Sequence, residues 1–267
     1  MTGEFDELTR AARQLISIEE LFGGDFIPAE RRPLPEIELP AATAMEAAGA
    51  SAAGGVAIPD DQAMTAAEKA EALRTIDDNE VKGCVQCVLS QGRHHTVFGE
   101  VNPDAGLMFI GEGPGEDEDR TGRPFVGRAG ELLTKMIVAM GLSRQDVYIA
   151  NIVKCRPPNN RAPLPGEVEA CWGYLVRQIS IIRPKVIVTL GNPATHSVLN
   201  TTVGITRLRG TWQRLPEIAP GVGGISVMPT FHPAYVLRQY TQDVRGKVWS
   251  DLQQVMAHLD LEVPKNT

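Results

Sequence analysis

The sequence predicts a three-layer α/β domain, in which a parallel sheet lies between two layers of helices. Short apolar runs rich in Val and Ile recur along the second part of the chain, and stretches with helical periodicity separate them. Nearly unbroken apolar runs are typical of parallel strands buried on both faces. The alternation of strand and helix is the βαβ rhythm of such folds. The predicted strands are residues 107–110, 147–153, 186–190 and 226–230.

Helical patterns occupy the intervals between these strands, at residues 129–140, 165–182 and 193–199, and a closing helix is predicted near residues 244–259. The domain is expected to begin near Thr65. The stretch "TAAE" matches a capping box, with Thr65 as the N-cap and Glu68 three residues later. Leu73 and Ile76 would then face the core, and the CxxC stretch would follow at the far end of this helix.

Residues 1–64 differ in character from the rest, and we interpret them as an acidic, Ala/Pro-rich extension and linker, disordered or partly helical, before a domain at residues 65–262. Apolar residues at helical spacing within residues 5–16 predict one amphipathic helix, which either packs on the domain or binds a protein partner. Residues 40–59 are rich in Ala and Gly, as flexible linkers are.

Charge is divided unevenly along the chain. The net charge is −7, but residues 1–80 carry −11 and residues 81–267 carry +4. A basic body is compatible with a polyanionic partner such as nucleic acid. There is no apolar run of eighteen residues, so we expect no membrane span. The N-terminal stretch "MTGEFDELTR" lacks the features of a signal peptide, so a cytoplasmic location is expected.

An acidic loop follows the first predicted strand, with the sequence "GEGPGEDED" from Gly111 to Asp119. A dinucleotide-binding turn is disfavoured, because Glu112 and Glu116 would lie beside the pyrophosphate. Three readings stay open: a Mg²⁺ site of a nuclease, a solvated acidic turn that includes Asp117 and Asp119, and a carboxylate that stabilises a cation formed during reaction. Glycosidic cleavage through an oxocarbenium-like sugar is the leading example of the third.

The four cysteines, Cys84, Cys87, Cys155 and Cys171, all lie in the basic part of the chain. Disulfides are rare in cytosolic proteins. Four thiolates are instead the full ligand set of either a structural zinc or an iron–sulfur cluster. The 15 residues between Cys155 and Cys171 differ from the paired CxxC spacing of zinc ribbons and favour iron–sulfur.

Two polar residues are placed where ligands collect in α/β folds, at the carboxyl ends of strands. His232 directly follows the last predicted strand in "FHPAYVLR", and Asn151 interrupts the apolar run "VYIANIVK". A buried Asn is costly unless its amide groups are paired. Asn151 therefore either pairs within the fold or recognises a ligand.

Four segments together resemble the family 4 uracil-DNA glycosylases, the iron–sulfur branch of the uracil-DNA glycosylase superfamily. They are "CVQC", "GEGPGEDEDRTGRPFVGRAGELL", "VYIANIVKCRPPNNRAPLPGEVEAC" and "FHPAYVLR", and the resemblance extends from about residue 73 to residue 259. It implies a central four-stranded parallel sheet and a structural [4Fe-4S] cluster. It also implies an enzyme of base excision repair that flips uracil out of DNA, hydrolyses its N-glycosidic bond and leaves an abasic site.

The resemblance also implies roles for individual residues. His232 is the expected catalytic histidine, Phe125 stacks on the base, and Asn151 reads its hydrogen-bonding edge. Glu112 and Glu118 carry the motif carboxylates, and Glu118 is also our candidate for a wall beside C5. The backbone at Gly111 and Gly113 contacts the substrate, although Gly113 stands where other branches place a water-activating Asp or Asn. The cluster ligands are Cys84, Cys87, Cys155 and Cys171.

Contacts with DNA outside the base pocket are predicted at basic residues near the strand ends and at an apolar wedge. Leu237 is the expected wedge tip, followed by Arg238. Phosphate contacts are expected from Arg123, Lys154, Arg156, Arg161, Arg207 and Arg209. We expect a monomer that acts on single- or double-stranded DNA containing uracil and is associated with the nucleoid. The alternatives are a non-catalytic iron–sulfur protein that binds nucleic acid, and a metal-dependent nuclease.

Overall fold

The computed structural model describes residues 64–262 of the chain, which form a mixed six-stranded sheet between two layers of helices. The strands are β1 (Glu100–Val101), β2 (Leu107–Gly111), β3 (Tyr148–Asn151), β4 (Val186–Leu190), β5 (Gln213–Arg214) and β6 (Ser226–Thr230). Their order across the sheet is β1-β3-β2-β4-β6-β5. The four strands β3, β2, β4 and β6 are parallel, and every residue in them is buried.

The predicted four-stranded parallel sheet is therefore confirmed as the centre of a wider sheet. At each edge a two-residue strand is added in the antiparallel direction, β1 beside β3 and β5 beside β6. Strands of two residues are too short to show the alternation from which a strand is predicted.

The helices cover both faces of the sheet. They are α1 (Ala66–Ile76), α2 (Glu116–Thr121), α3 (Arg128–Ala139), α4 (Pro165–Ile182), α5 (Gly191–Leu199), α6 (Ile205–Leu208), α7 (Pro233–Arg238) and α8 (Gln242–His258). One core contains Phe109, Val188 and Met228 with residues of α3 and α8, and the other contains Met108, Ile187 and Val227 with residues of α1 and α4. Because successive strand residues point to opposite faces, the two cores are the two sides of one sheet.

Helix α1 begins as the sequence predicts. The carboxylate of Glu68 accepts the backbone N–H of Thr65 at 2.8 Å, and the Thr65 hydroxyl accepts the backbone N–H of Glu68 at 3.3 Å. Leu73 and Ile76 are buried. A π-helical turn, Asp77–Val81, extends the helix toward Cys84. The amphipathic helix and linker predicted within residues 1–63 lie outside the described residues. Among residues 64–262, no helix is long and apolar enough to cross a membrane.

Candidate active site

A cleft of about 710 Å³ opens at the carboxyl ends of the parallel strands. Its walls include residues that follow β2, β3, β4 and β6, and its size suits a small ligand with part of a larger one. The predicted site residues that line it are Glu112, Gly113, Glu118, Phe125, Asn151, His232 and Arg238. Gly191 and Asn192 also line it. They follow β4 directly, and the rule that ligands collect at strand ends could have identified them.

Asn151 ends β3 and is 1% exposed. Its side-chain oxygen Oδ1 is buried and accepts no hydrogen bond within the part of the chain that the structure describes. Pairing of this oxygen within the fold, one of the two readings of the sequence, is therefore not observed. A buried acceptor without a partner is costly, and it marks a place where a ligand's N–H can be recognised.

Gly111 lies beside Asn151 in the sheet, and no other residue fits there. A Cβ on Gly111 would lie 2.5 Å from Asn151 Oδ1 and 2.5 Å from Cζ of Phe125. The Phe125 ring is thus held against the strand end and is 6% exposed. Its backbone has a φ of 51°, which is rare for a residue with a side chain. Arg144 stabilises this conformation, because its Nη1 donates to the Phe125 carbonyl at 3.0 Å.

His232 is the N-cap of α7. Its Nδ1 accepts the backbone N–H of Ala234 at 3.1 Å, so in the neutral ring the proton is on Nε2. Burial lowers the pKa of His232 to about 4, and the positive charge of Arg238 lowers it further in the same direction. The ring is therefore neutral at pH 7, with Nε2–H as its donor. The ring centroids of His232 and Phe125 are 5.8 Å apart.

The two motif carboxylates are placed differently. Glu112 is partly buried in the cleft wall, and its carboxylate has no hydrogen-bond partner among the described residues. Burial raises the pKa of Glu112, and Arg238 opposes that rise. Glu118 accepts three backbone N–H groups, from Gly115 at 3.0 Å, Val126 at 2.8 Å and Gly127 at 2.9 Å. Glu118 thus ties the acidic loop to the Phe125 loop, a role that the sequence did not indicate.

The interpretation of Asp119 as a solvated acid is wrong. Asp119 is 1% exposed and accepts the backbone N–H of His94 at 2.9 Å, and its other oxygen lies 2.6 Å from His94 Nδ1. The acids Glu116–Asp119 form the first turn of α2, where negative charge is favourable to a helix. Asp117 is exposed, as predicted.

We expect Glu118→Gln to destabilise the protein by about 1–3 kcal/mol, because a single amide oxygen cannot satisfy all three backbone N–H groups. Urea unfolding followed by circular dichroism measures this effect. Glu116→Gln on the same helix is the matched control, since the pair that Glu116 forms with Arg156 is exposed on the Glu116 side and contributes about 0–1 kcal/mol. Equal midpoints for the two variants would show that Glu118 does not hold the loops.

Several predicted phosphate contacts are engaged within the protein. Arg209 donates through Nε to Asp251 at 3.1 Å and through Nη2 to the same carboxylate, which also accepts the Thr230 hydroxyl at 2.6 Å. Asp251 is fully buried, so Arg209 is required as its counter-charge, and the prediction of Arg209 as a DNA contact is corrected to a structural ion pair. Lys154 is 1% exposed and is not a phosphate contact either.

The remaining basic residues differ in how available they are. Arg123 pairs with Glu100, Arg161 with Glu167, and Arg156 with Glu116 at 3.2 Å, although Arg161 also lines the cleft. Arg207 and Arg238 are exposed, and Arg238 lines the cleft. Leu237, the predicted wedge, is partly buried against the core, whereas Tyr235 is 37% exposed at the cleft.

All four cysteines line one small cavity formed where α1, β3 and α4 meet. Cys155 and Cys171 are buried, and the four are free thiols. Arg93 Nη1 donates to Cys155 Sγ at 3.2 Å, and the backbone N–H of Lys154 donates to Cys171 Sγ at 3.2 Å. Burial raises the pKa of Cys171 to about 11. Among residues 64–262, no three His, Cys, Asp or Glu side chains are placed to bind one metal ion.

Comparison with known proteins agrees with this geometry. Residues 98–253 match the family model described as the uracil DNA glycosylase superfamily. A type-4 uracil-DNA glycosylase of Thermotoga maritima is 46% identical over 196 residues, which are 72% of this chain and 97% of that protein. The type-4 enzyme of Archaeoglobus fulgidus is 43% identical over 191 residues, 68% of this chain and 92% of that protein.

The chain belongs to the type-4 uracil-DNA glycosylase family. The resemblance drawn from the four motif segments is thereby confirmed. A type-5 uracil-DNA glycosylase of Pyrobaculum aerophilum is also similar, at 33% identity over 158 residues, 54% of this chain and 66% of that protein. In this type-4 family member, the buried residues that order the site, Arg144 and Glu118, lie outside the cleft's chemistry. Their roles follow from contacts made only in the folded chain.

Proposed function

We propose that this protein is a uracil-DNA glycosylase that binds an extruded uracil in the cleft and hydrolyses its N-glycosidic bond in base excision repair. The observation that carries this proposal is the unpaired Oδ1 of Asn151, buried beside Phe125 in a cleft that also holds a neutral histidine. An enzyme that reads or cleaves a base within a duplex must first flip it out of the stack, and this arrangement is suited to an extruded base.

Asn151 distinguishes uracil from cytosine by the direction of two hydrogen bonds. Its Oδ1 accepts the N3–H of uracil, and its amide N–H donates to O4. Cytosine has an acceptor at N3 and a donor at N4, so both contacts would fail. Each unpaired buried group costs about 1–3 kcal/mol, which excludes cytosine by several orders of magnitude. Phe125 supplies a stacking face, which contributes about 1–3 kcal/mol per base.

His232 and Glu112 are placed to stabilise the two charges that cleavage separates. As the bond breaks, the uracil becomes anionic and the sugar cationic. The Nε2–H of neutral His232 donates to the uracil O2, where negative charge develops. The Glu112 carboxylate, free of protein hydrogen bonds, stabilises the sugar and orients the attacking water. We assign Glu118 to holding the loop between these groups, because its oxygens are occupied by backbone N–H groups.

The four-cysteine cavity is proposed to bind a structural [4Fe-4S] cluster. The donor set supports this, because four cysteines line one cavity and two of their sulfurs accept hydrogen bonds from N–H groups, as cluster sulfurs do. As they stand, the thiols do not form a site for a single ion. Bound there, a cluster would tie α1 and α4 to the end of β3. The hydrolysis itself involves no electron transfer.

We expect Cys155→Ser to remove the visible absorbance of the purified protein and to lower its melting temperature, because one of four cluster ligands is lost. Absorption spectra and iron content per chain measure the first effect, and thermal unfolding the second. Ser197→Cys, a change on α5 away from the cavity, is the control for altered thiol content. A colourless wild-type protein that contains zinc would refute the iron–sulfur assignment.

Incubation of the protein with oligonucleotides that contain U, T, C or hypoxanthine tests the proposed function. The expected result is release of free uracil and an alkali-labile abasic site with U alone or most rapidly, also in the presence of EDTA. A metal-dependent nuclease would stop in EDTA, and a non-catalytic binding protein would release nothing. We further propose that the domain acts as a monomer on nucleoid DNA in the cytoplasm, since residues of one chain form the cleft wall. The extension at residues 1–64 is left as a candidate for binding a protein partner.

A further inference from the structure

Lys154 is a lysine enclosed by the fold, between β3 and α4. It is 1% exposed. Its Nζ donates to the backbone carbonyl of Asn151 at 2.9 Å and to Oε1 of Gln178 at 2.6 Å. The Gln178 amide is itself fixed, because its Nε2 donates to the Phe98 carbonyl at 2.9 Å. The ammonium group is therefore directed at the residue that we assign to base reading.

The same residue also contacts the four-cysteine cavity. Its backbone N–H donates to Cys171 Sγ at 3.2 Å, the next residue is Cys155, and its side chain lines the cavity. Lys154 thus lies between two sites that the proposed function treats as separate. One is the base pocket at the end of β3, and the other is the cysteine cavity behind it.

The charge of Lys154 has no close partner of opposite sign among its hydrogen bonds. Both acceptors, the Asn151 carbonyl and the Gln178 amide oxygen, are neutral. The negative groups that act on Lys154 from neighbouring elements are Cys171, once it is a thiolate, and Asp77. Buried charges are retained in proteins when they are paired, and four thiolates holding a cluster would supply negative charge on this side.

We propose that Lys154 is a positioning residue that couples the four-cysteine site to recognition of the base. Its ammonium group offsets the negative charge of the ligated cysteines, and its bond to the Asn151 carbonyl holds the end of β3 in the orientation that aims Oδ1 at uracil. This inference rests on the proposed function, and it gives the cluster a part in specificity besides its part in stability.

Lys154→Met in the cluster-containing enzyme tests the proposal, with Lys185→Met, an exposed lysine beside β4, as the matched control. Three quantities are measured: iron content per chain, the reduction potential of the cluster, and the ratio of kcat/KM for uracil over cytosine in the same oligonucleotide. Loss of the cation should make the potential more negative, because the reduced cluster carries more negative charge. Changes to residues that support metal ligands typically cost about 10–100-fold, and we expect a fall of that size in the uracil preference.

Lys154→Met with wild-type potential and wild-type base preference would overturn the proposal, and so would a change in only one of the two. If wild type itself releases no uracil, the proposed function fails instead. Should Lys154→Met not fold by circular dichroism, Gln178→Glu decides, because it places a carboxylate beside Nζ. The drop in melting temperature on removal of the cluster should then be smaller than in wild type. An equal or larger drop would overturn the proposal.

Discussion

Replacing His232 by alanine is expected to lower the single-turnover rate of uracil release by about 10²–10³-fold, while the affinity for DNA stays within a few-fold of wild type. The reason is that Nε2–H contacts the leaving group only where negative charge develops. Loss of such a donor raises the barrier without removing ground-state contacts. Rapid-quench assays give the rate, and fluorescence anisotropy with a labelled oligonucleotide gives the affinity.

His258→Ala is the matched control, because His258 is exposed at the end of α8. An unchanged single-turnover rate in His232→Ala would remove His232 from the mechanism. The pH dependence provides a second check. Since the pKa of His232 is lowered to about 4, the ring stays neutral from pH 8 to pH 5 and contributes no loss of rate over that range. A rate that falls with a midpoint near the ordinary histidine pKa, about 6.5, would show that the ring is not buried in this way.

The same pKa shift has a consequence for stability. In the unfolded chain His232 binds a proton below pH of about 6.5, whereas in the folded protein it stays neutral down to about pH 4. The unfolded state therefore binds more protons in this window, so the folded state is destabilised as pH falls through it. His232→Ala should show a weaker loss of stability than wild type between these two pH values.

Asn151→Asp is expected to lower uracil excision and to relax or invert the preference for uracil over cytosine. A carboxylate accepts hydrogen bonds but, when ionised, has no N–H to donate to uracil O4, and it can accept the amino group of cytosine instead. Two failed contacts of about 1–3 kcal/mol each would change the relative kcat/KM by two or more orders of magnitude. Excision from matched U and C oligonucleotides measures the ratio.

Asn200→Asp is the matched control, because Asn200 is an exposed asparagine that ends α5, away from the cleft walls. Discrimination that stays intact in Asn151→Asp would show that Asn151 serves the fold alone. Unfolding curves of both variants separate a change in base reading from a loss of structure.

How much the sequence revealed depends on whether a feature is local. The four central strands were predictable because burial on both faces leaves a continuous apolar run, and the Thr65 capping box is a pattern of four residues. Arg209 and Lys154 were misread because a basic side chain near a strand end has the same sequence signature whether it faces phosphate or a buried partner. In the fold, Asp251 and the Asn151 carbonyl claim them.

The acidic loop shows the same limit. The sequence indicated carboxylates near the site, and Glu112 is placed in the cleft. The three backbone donors that Glu118 binds are two from a different loop and one from its own, so only the folded chain brings them together. Likewise Gly191 faces the cleft because β4 ends beside β6, which is a property of strand order.

The vacant acceptor of Asn151 has an evolutionary corollary. A cavity-filling apolar residue at this position would relieve an uncompensated polar atom, so the chain forgoes thermal resilience in order to keep its reading head ready before DNA arrives. Selection for heat tolerance without selection for repair would therefore be expected to discard Asn151 among the first residues of the cleft.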